Sequence, residues 1–122
     1  MSPDDDITVG ELKKAVKKFR DERNWQKYHT PKNLAESISI EAAELLEKFQ
    51  WKKEEEINEL LNDSKYKSEV KEELADVFNY CLALSLALDI DLSEALIEKV
   101  RLNSEKYPVE KSKGEYKKYT KL

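Results

Sequence analysis

Glycine and proline are nearly missing: Gly10 and Gly114, with Pro3, Pro31 and Pro108, are all that 122 residues contain. Between Glu11 and Tyr107 the only one of either kind is Pro31, so almost nothing interrupts helix formation through the body of the chain. An all-α fold is expected. Cysteine is equally scarce. Cys81 stands alone in the apolar run FNYCLALSLAL, which excludes an internal disulfide, reads as a small core residue and fits a reducing compartment. There is no basic excess either, with 22 Lys and Arg against 26 Asp and Glu, a net charge of −4 and a pI near 5.2. That balance argues against a binder of nucleic acid polymers. A small anionic ligand would need a metal or a local basic patch. No apolar stretch reaches the roughly 18 residues that span a bilayer, and MSPDDDITVG opens acidic and polar, unlike a secretory leader. A cytoplasmic protein with no membrane partner is expected, as one domain over 1–122 that oligomerisation would help to bury apolar surface.

What is present is helical periodicity. Thr8 and Glu11 have capping-box spacing and open a first helix through Leu12, Ala15, Val16 and Phe19 to about Asn24. The polar connection WQKYHTPKN ends it. A second helix carries Leu34, Ile38, Glu41, Leu45 and Phe49, and the charged segment KKEEEINELLNDS after Trp51 predicts a small helix and a turn. Asp63 or Ser64 suits the N-cap of a long third helix through Val70, Leu74, Val77, Phe78, Cys81, Leu84 and Leu88. Its second half is apolar nearly all round, which points to burial on several sides in a bundle or at a subunit interface. Asp91 and Glu94 open a fourth helix that ends before Pro108, and the Lys-rich tail, residues 110–122, reads as irregular. The expected architecture is an antiparallel four-helix-bundle-like domain that forms oligomers.

The chemistry-bearing pattern is a pair of acid pairs. Glu41 and Glu44 lie in SIEAAELLEKF, and Glu73 and Asp76 lie in EELADVF. Residues three apart on a helix project from nearly the same face, so two such helices packed together would cluster four carboxylates. Both pairs sit on apolar stretches, where an unpaired carboxylate is costly. A bound hard cation, Mg²⁺ above all, lowers that cost, and such a cage on a helical bundle suits a phosphate ligand. Lysines are the rival partner, because 39% of the chain is charged and most helical glutamates are simply solvated.

Laid in order, the landmarks are Trp25-Gln26-Lys27-Tyr28-His29-Thr30-Pro31-Lys32-Asn33-Leu34, then the Glu41 and Glu44 motif running on through Glu47 to Phe49-Gln50-Trp51-Lys52. Glu73-Leu74-Ala75-Asp76-Val77 with Tyr80 follows, then Lys99 with Asn103, Lys106-Tyr107-Pro108 and Lys118-Tyr119-Thr120. From Leu12 to Leu122 this resembles the MazG-like all-α nucleoside triphosphate pyrophosphohydrolases, and among them the dCTP pyrophosphatase branch. The resemblance implies Mg²⁺-dependent cleavage of a nucleoside triphosphate, dCTP or a modified dCTP first, to nucleoside monophosphate and pyrophosphate, in nucleotide pool control or house-cleaning. It implies metal ligation by Glu41, Glu44, Glu73 and Asp76, nucleoside contacts from Trp25, Trp51 and Tyr80, phosphate or sugar contacts from Lys99 and Asn103, and a homo-oligomer, dimer or tetramer. Relatives of that branch can carry a histidine nine residues before the first tryptophan, where this chain has Val16.

Physical reading supports these residues unequally. Trp51 is seven residues after Glu44, two helical turns along the same face, where its ring would flank whatever the metal holds, and Tyr80, four after Asp76, has the same relation on the third helix; the competing role for either aromatic is plain core. Trp25 falls in a polar loop, where stacking on a base is a natural use. Glu47 continues the acidic stripe and is placed to orient a water or accept its proton, so Glu44 and Glu47 are the expected catalytic acids; the competing role for Glu47 is a surface pair with Lys48 or Lys52. His29, the only histidine, suits capping or packing better than catalysis. A di-iron bundle asks for Glu-x-x-His motifs, which His29 does not complete. The alternative from another class is a non-enzymatic acidic helical interaction module, whose acids pair with lysines.

Overall fold

The computed structural model describes residues 2–121; Met1 and Leu122, the ends of the expected 1–122 domain, lie outside the described residues. In chain order the elements are α1 (Pro3–Asp6), α2 (Val9–Glu22), a 3-10 turn (Gln26–Tyr28), α3 (Pro31–Glu47), α4 (Glu54–Leu60), α5 (Ser64–Leu88), α6 (Leu92–Lys106), α7 (Val109–Ser112) and a second 3-10 turn (Tyr119–Lys121). Among the described residues there is no strand, and the protein is all-α. The chain divides after Asp89 into two compact units.

In the first unit α5 is the central element, packed against α3 and α2. Side-chain caps set where these helices begin. Thr8 accepts from the Glu11 amide at the start of α2, Thr30 from the Asn33 amide at α3, and Asp63 from the Lys65 amide at α5. Pro31 occupies the first turn of α3, where its missing N–H costs nothing. The connection expected to run through Asn33 is therefore shorter, because cap and proline together start the helix at Pro31. Helices also end without glycine. Asn24, just beyond α2, and Asp89, the residue capping α5, take left-handed backbone with φ of 56° and 52°, a conformation that asparagine and aspartate tolerate better than most residues.

The core of this unit is small: Leu34 of α3 with Leu82 and Ala83 of α5. Ser85 is buried beside them and its hydroxyl donates to the Leu82 carbonyl at 2.6 Å. The burial on several sides expected of the second half of α5 is reached around Leu82, Ala83 and Ser85, whereas Leu88 at its end stays 46% exposed. Further back, Leu74 and Phe78 are 56% and 46% exposed, and with Lys71, Ala75, Val77 and Cys81 they line an open groove of about 520 Å³.

The second unit is built on α6, which opens as expected, with Asp91 accepting from the Glu94 amide at 2.9 Å. Arg101 ties it along one side by pairing with Glu98 and Glu105, each at 2.6 Å. Its tail is more ordered than its composition suggests. Tyr107 and Tyr119 meet edge to face at 6.0 Å, with Lys106 over the Tyr119 ring.

Candidate metal and nucleotide site

α3 and α5 each contribute one acid pair to their shared interface. Glu41 and Glu44 are separated by less than one turn of α3, as are Glu73 and Asp76 on α5, so the packing of the two helices sets the acids against each other. One carboxylate oxygen each from Glu41, Glu73 and Asp76 lies within 4.8 Å of the others. A divalent cation holding oxygens at about 2.0 to 2.6 Å spans about 4 to 5 Å between opposite ligands. The spacing fits.

The electrostatics point the same way. Glu41 Oε2 and Glu73 Oε2 are buried with no hydrogen-bond partner, a costly state for a charged oxygen. Burial first, and then the neighbouring Glu44, Asp76 and Glu73 carboxyls, raise the pKa of Glu41 from 4.5 to about 7. Glu73 is raised for the same reasons, by burial, Glu44 and Asp76, with Lys48 opposing. Glu44, exposed on the same face of α3, adds its charge to both half-buried acids. The ion pairs made by these helices bypass them: Lys32 pairs with Glu36, and Lys48 with Glu69 at 2.9 Å. Lysine pairing, the rival explanation for acids on apolar stretches, does not account for them.

Around the cluster the other expected residues fall unevenly. Tyr80, half-buried one turn beyond Asp76, has its hydroxyl pKa raised by burial and by Glu41, Asp76 and Glu44, so it borders the acids. Glu47 is the exposed last residue of α3, and the charges acting on Glu41 and Glu73 do not include it. Trp51 departs from the expected helical register. α3 stops at Glu47, the Lys48, Phe49 and Gln50 amides close short turns, and Trp51 follows with φ 68° and 91% exposure. It is neither core nor two helical turns from Glu44. Positive φ is uncommon for a bulky residue and collects at functional sites. Trp25 follows α2 in the predicted loop, 43% exposed and edge to face with Phe19 at 5.8 Å. Lys99 and Asn103 are exposed on α6 of the second unit, one turn apart on one face.

Two polar features escaped the sequence reading. Lys48 holds Glu69 while Tyr66 donates to the Lys48 carbonyl at 2.5 Å, pinning the end of α3 to α5. Arg20 is buried, and its position four residues after Val16 and eight after Leu12, on the apolar stripe of α2, was the available signal.

A family model described as MazG-like matches residues 36–122. The chain belongs to the MazG-like family. Among its relatives are mouse (Mus musculus) dCTP pyrophosphatase 1, 36% identical over 115 residues covering 94% of this chain and 68% of that protein, and the human (Homo sapiens) protein of the same name, 32% identical over the same shares. In three dimensions it is similar to a pyrophosphatase from Archaeoglobus fulgidus DSM 4304, with a TM-score of 0.76 and 50% identity, over 82% of this chain and 92% of that one. The acidic cluster that bridges α3 and α5 is thus the feature of this MazG-like chain suited to a divalent metal.

Proposed function

We propose that this chain is a Mg²⁺-dependent nucleoside triphosphate pyrophosphohydrolase acting on dCTP or a modified dCTP, in nucleotide pool control or house-cleaning. The observation that carries the reading is the convergence of Glu41, Glu73 and Asp76 within 4.8 Å, two of them with buried, unpartnered oxygens. Hard oxygen ligands at this spacing favour Mg²⁺. Glu41, Glu44, Glu73 and Asp76 would hold it. When bound, the cation supplies positive charge that screens the triphosphate and stabilises charge developing on the phosphoryl oxygens.

The chain's own groups do the rest. Glu44, beside both buried acids, takes the proton of the attacking water, with Glu47 at the end of α3 as the second acceptor. The water oxygen bonds to one phosphorus of the α–β anhydride as the bridge breaks, and nucleoside monophosphate and pyrophosphate leave. Trp25 and Trp51 offer exposed ring faces for stacking on the base, Tyr80 flanks the nucleoside, and Lys99 and Asn103 contact phosphate or sugar. The family match runs across both units and supports reading 1–122 as one domain. A homo-oligomer, dimer or tetramer, covers the groove where Leu74 and Phe78 are exposed. No helix among the described residues is long and apolar enough to cross a membrane, in keeping with a cytoplasmic enzyme. The test is pyrophosphate release from the common ribo- and deoxyribonucleoside triphosphates with Mg²⁺. Preference for dCTP supports the assignment; turnover of none of them overturns it.

A further inference from the structure

A polar cavity lies in the first unit, away from the acids. It has a volume of about 460 Å³ and is lined by Lys17 and Arg20 of α2, Gln26 and His29 of the loop, Pro31 at the start of α3 and Leu86 near the end of α5, within the size range of small-molecule sites. Pro31 precedes Glu41 by ten residues on α3 and Leu86 follows Asp76 by ten on α5, about 15 Å along each helix axis. The two sites do not overlap.

The lining residues named here include no acid. Lys17 and Arg20 lie less than one turn apart on the same face of α2. Arg20 is only 7% exposed, and its guanidinium donates through Nε to Asp21 at 2.9 Å. A guanidinium carries five donors in a rigid fork, so the Nε contact to Asp21 leaves it donors to offer a ligand in the cavity that it lines. His29 Nδ1 is buried with no partner, and burial and the Arg20 charge keep the imidazole below its ordinary pKa and so neutral at pH 7.5. Two cationic side chains from α2 and the imidazole from the loop thus line one space. A carboxylate would satisfy the arginine fork alone, whereas a phosphate group has oxygens enough for guanidinium, ammonium and imidazole together.

We propose that this cavity is a second ligand site that takes a phosphate group, free or as a monoester, held by Arg20 and Lys17 with a further hydrogen bond from His29. As the only histidine, His29 is a clean reporter. The full chain, with excess chelator to keep the acidic cluster metal-free, is titrated with inorganic phosphate at pH 7.5 and constant ionic strength while the imidazole NMR signals are followed. A saturable shift is expected, weakened about tenfold by Lys17→Gln, the loss of one charge-assisted contact, and abolished by Arg20→Gln. Lys17 is exposed, so its variant keeps the test informative if Arg20→Gln fails to fold. A nucleoside monophosphate that binds tighter than phosphate identifies the ester as the ligand, and equal affinity identifies the free ion. No saturable shift, acetate binding as well as phosphate, or undiminished affinity in Lys17→Gln would overturn the proposal.

Discussion

Replacing Glu41 with glutamine should stabilise the metal-free protein while abolishing turnover, and the gain should depend on pH. In the folded chain Glu41 holds its proton up to about pH 7 instead of 4.5. A carboxyl whose pKa is raised on folding contributes stability that is fully present below 4.5 and lost as pH climbs through 7, because the folded state then gives up a proton it held more tightly. At about 1.4 kcal/mol per tenfold change in proton affinity the upper bound is about 3 kcal/mol. Water reaches part of this half-buried residue, and screening brings the figure to about 1 to 2 kcal/mol. Glutamine has nearly the same shape and no charge to lose. Glu41→Gln should therefore raise the melting temperature of the chelator-treated protein by about 4 to 8 °C at pH 8 and hardly at all at pH 4.5. Thermal scans of both proteins across that range provide the assay. A variant less stable than wild type at pH 8, or a gain of the same size at both ends, would refute the idea that crowded carboxylates strain this interface.

Three further outcomes follow from the same geometry. Millimolar Mg²⁺ should raise the wild-type melting temperature by mass action, and a Glu44→Gln, Asp76→Asn double variant should show no such shift; an equal shift would place the metal elsewhere. Trp51→Ala should leave stability within about 0.5 kcal/mol, since the ring is 91% exposed, yet raise KM by roughly five- to 150-fold, the worth of one stacked base, with kcat less affected; unchanged affinity in a direct nucleotide titration would remove it from the site. Trp25→Ala should raise KM similarly and also cost about 0.5 to 1.5 kcal/mol of stability, because its edge-to-face contact with Phe19 is lost, and a melting temperature equal to wild type would count against that contact.

The helix order and the two acid pairs were legible from the sequence because both follow from local rules. Thr8, Asp63 and Asp91 cap the helices that their spacing announces, and acids three apart share a face wherever a helix forms. Trp51 was misplaced because extending α3 by periodicity ignores where the backbone leaves the helix, and a tryptophan at positive φ gives no local warning. Arg20 was passed over for a related reason. A charged residue on an apolar stripe reads as surface until the packing around it is known, and its environment comes from the loop after α2 and the ends of α3 and α5. Lys99 and Asn103 were linked to the site through family resemblance, and their place on α6 is as far as local pattern carries them.

The central claim is hydrolysis between the α- and β-phosphates by the four-acid cluster, and the products of dCTP test it most directly. Wild-type protein with Mg²⁺ should release dCMP and pyrophosphate in equal amounts. Chelator or Asp76→Asn should stop the reaction. Release of dCDP and inorganic phosphate, or turnover by Asp76→Asn above about a tenth of the wild-type rate, too small a loss for a group acting on transition-state charge, would contradict the account.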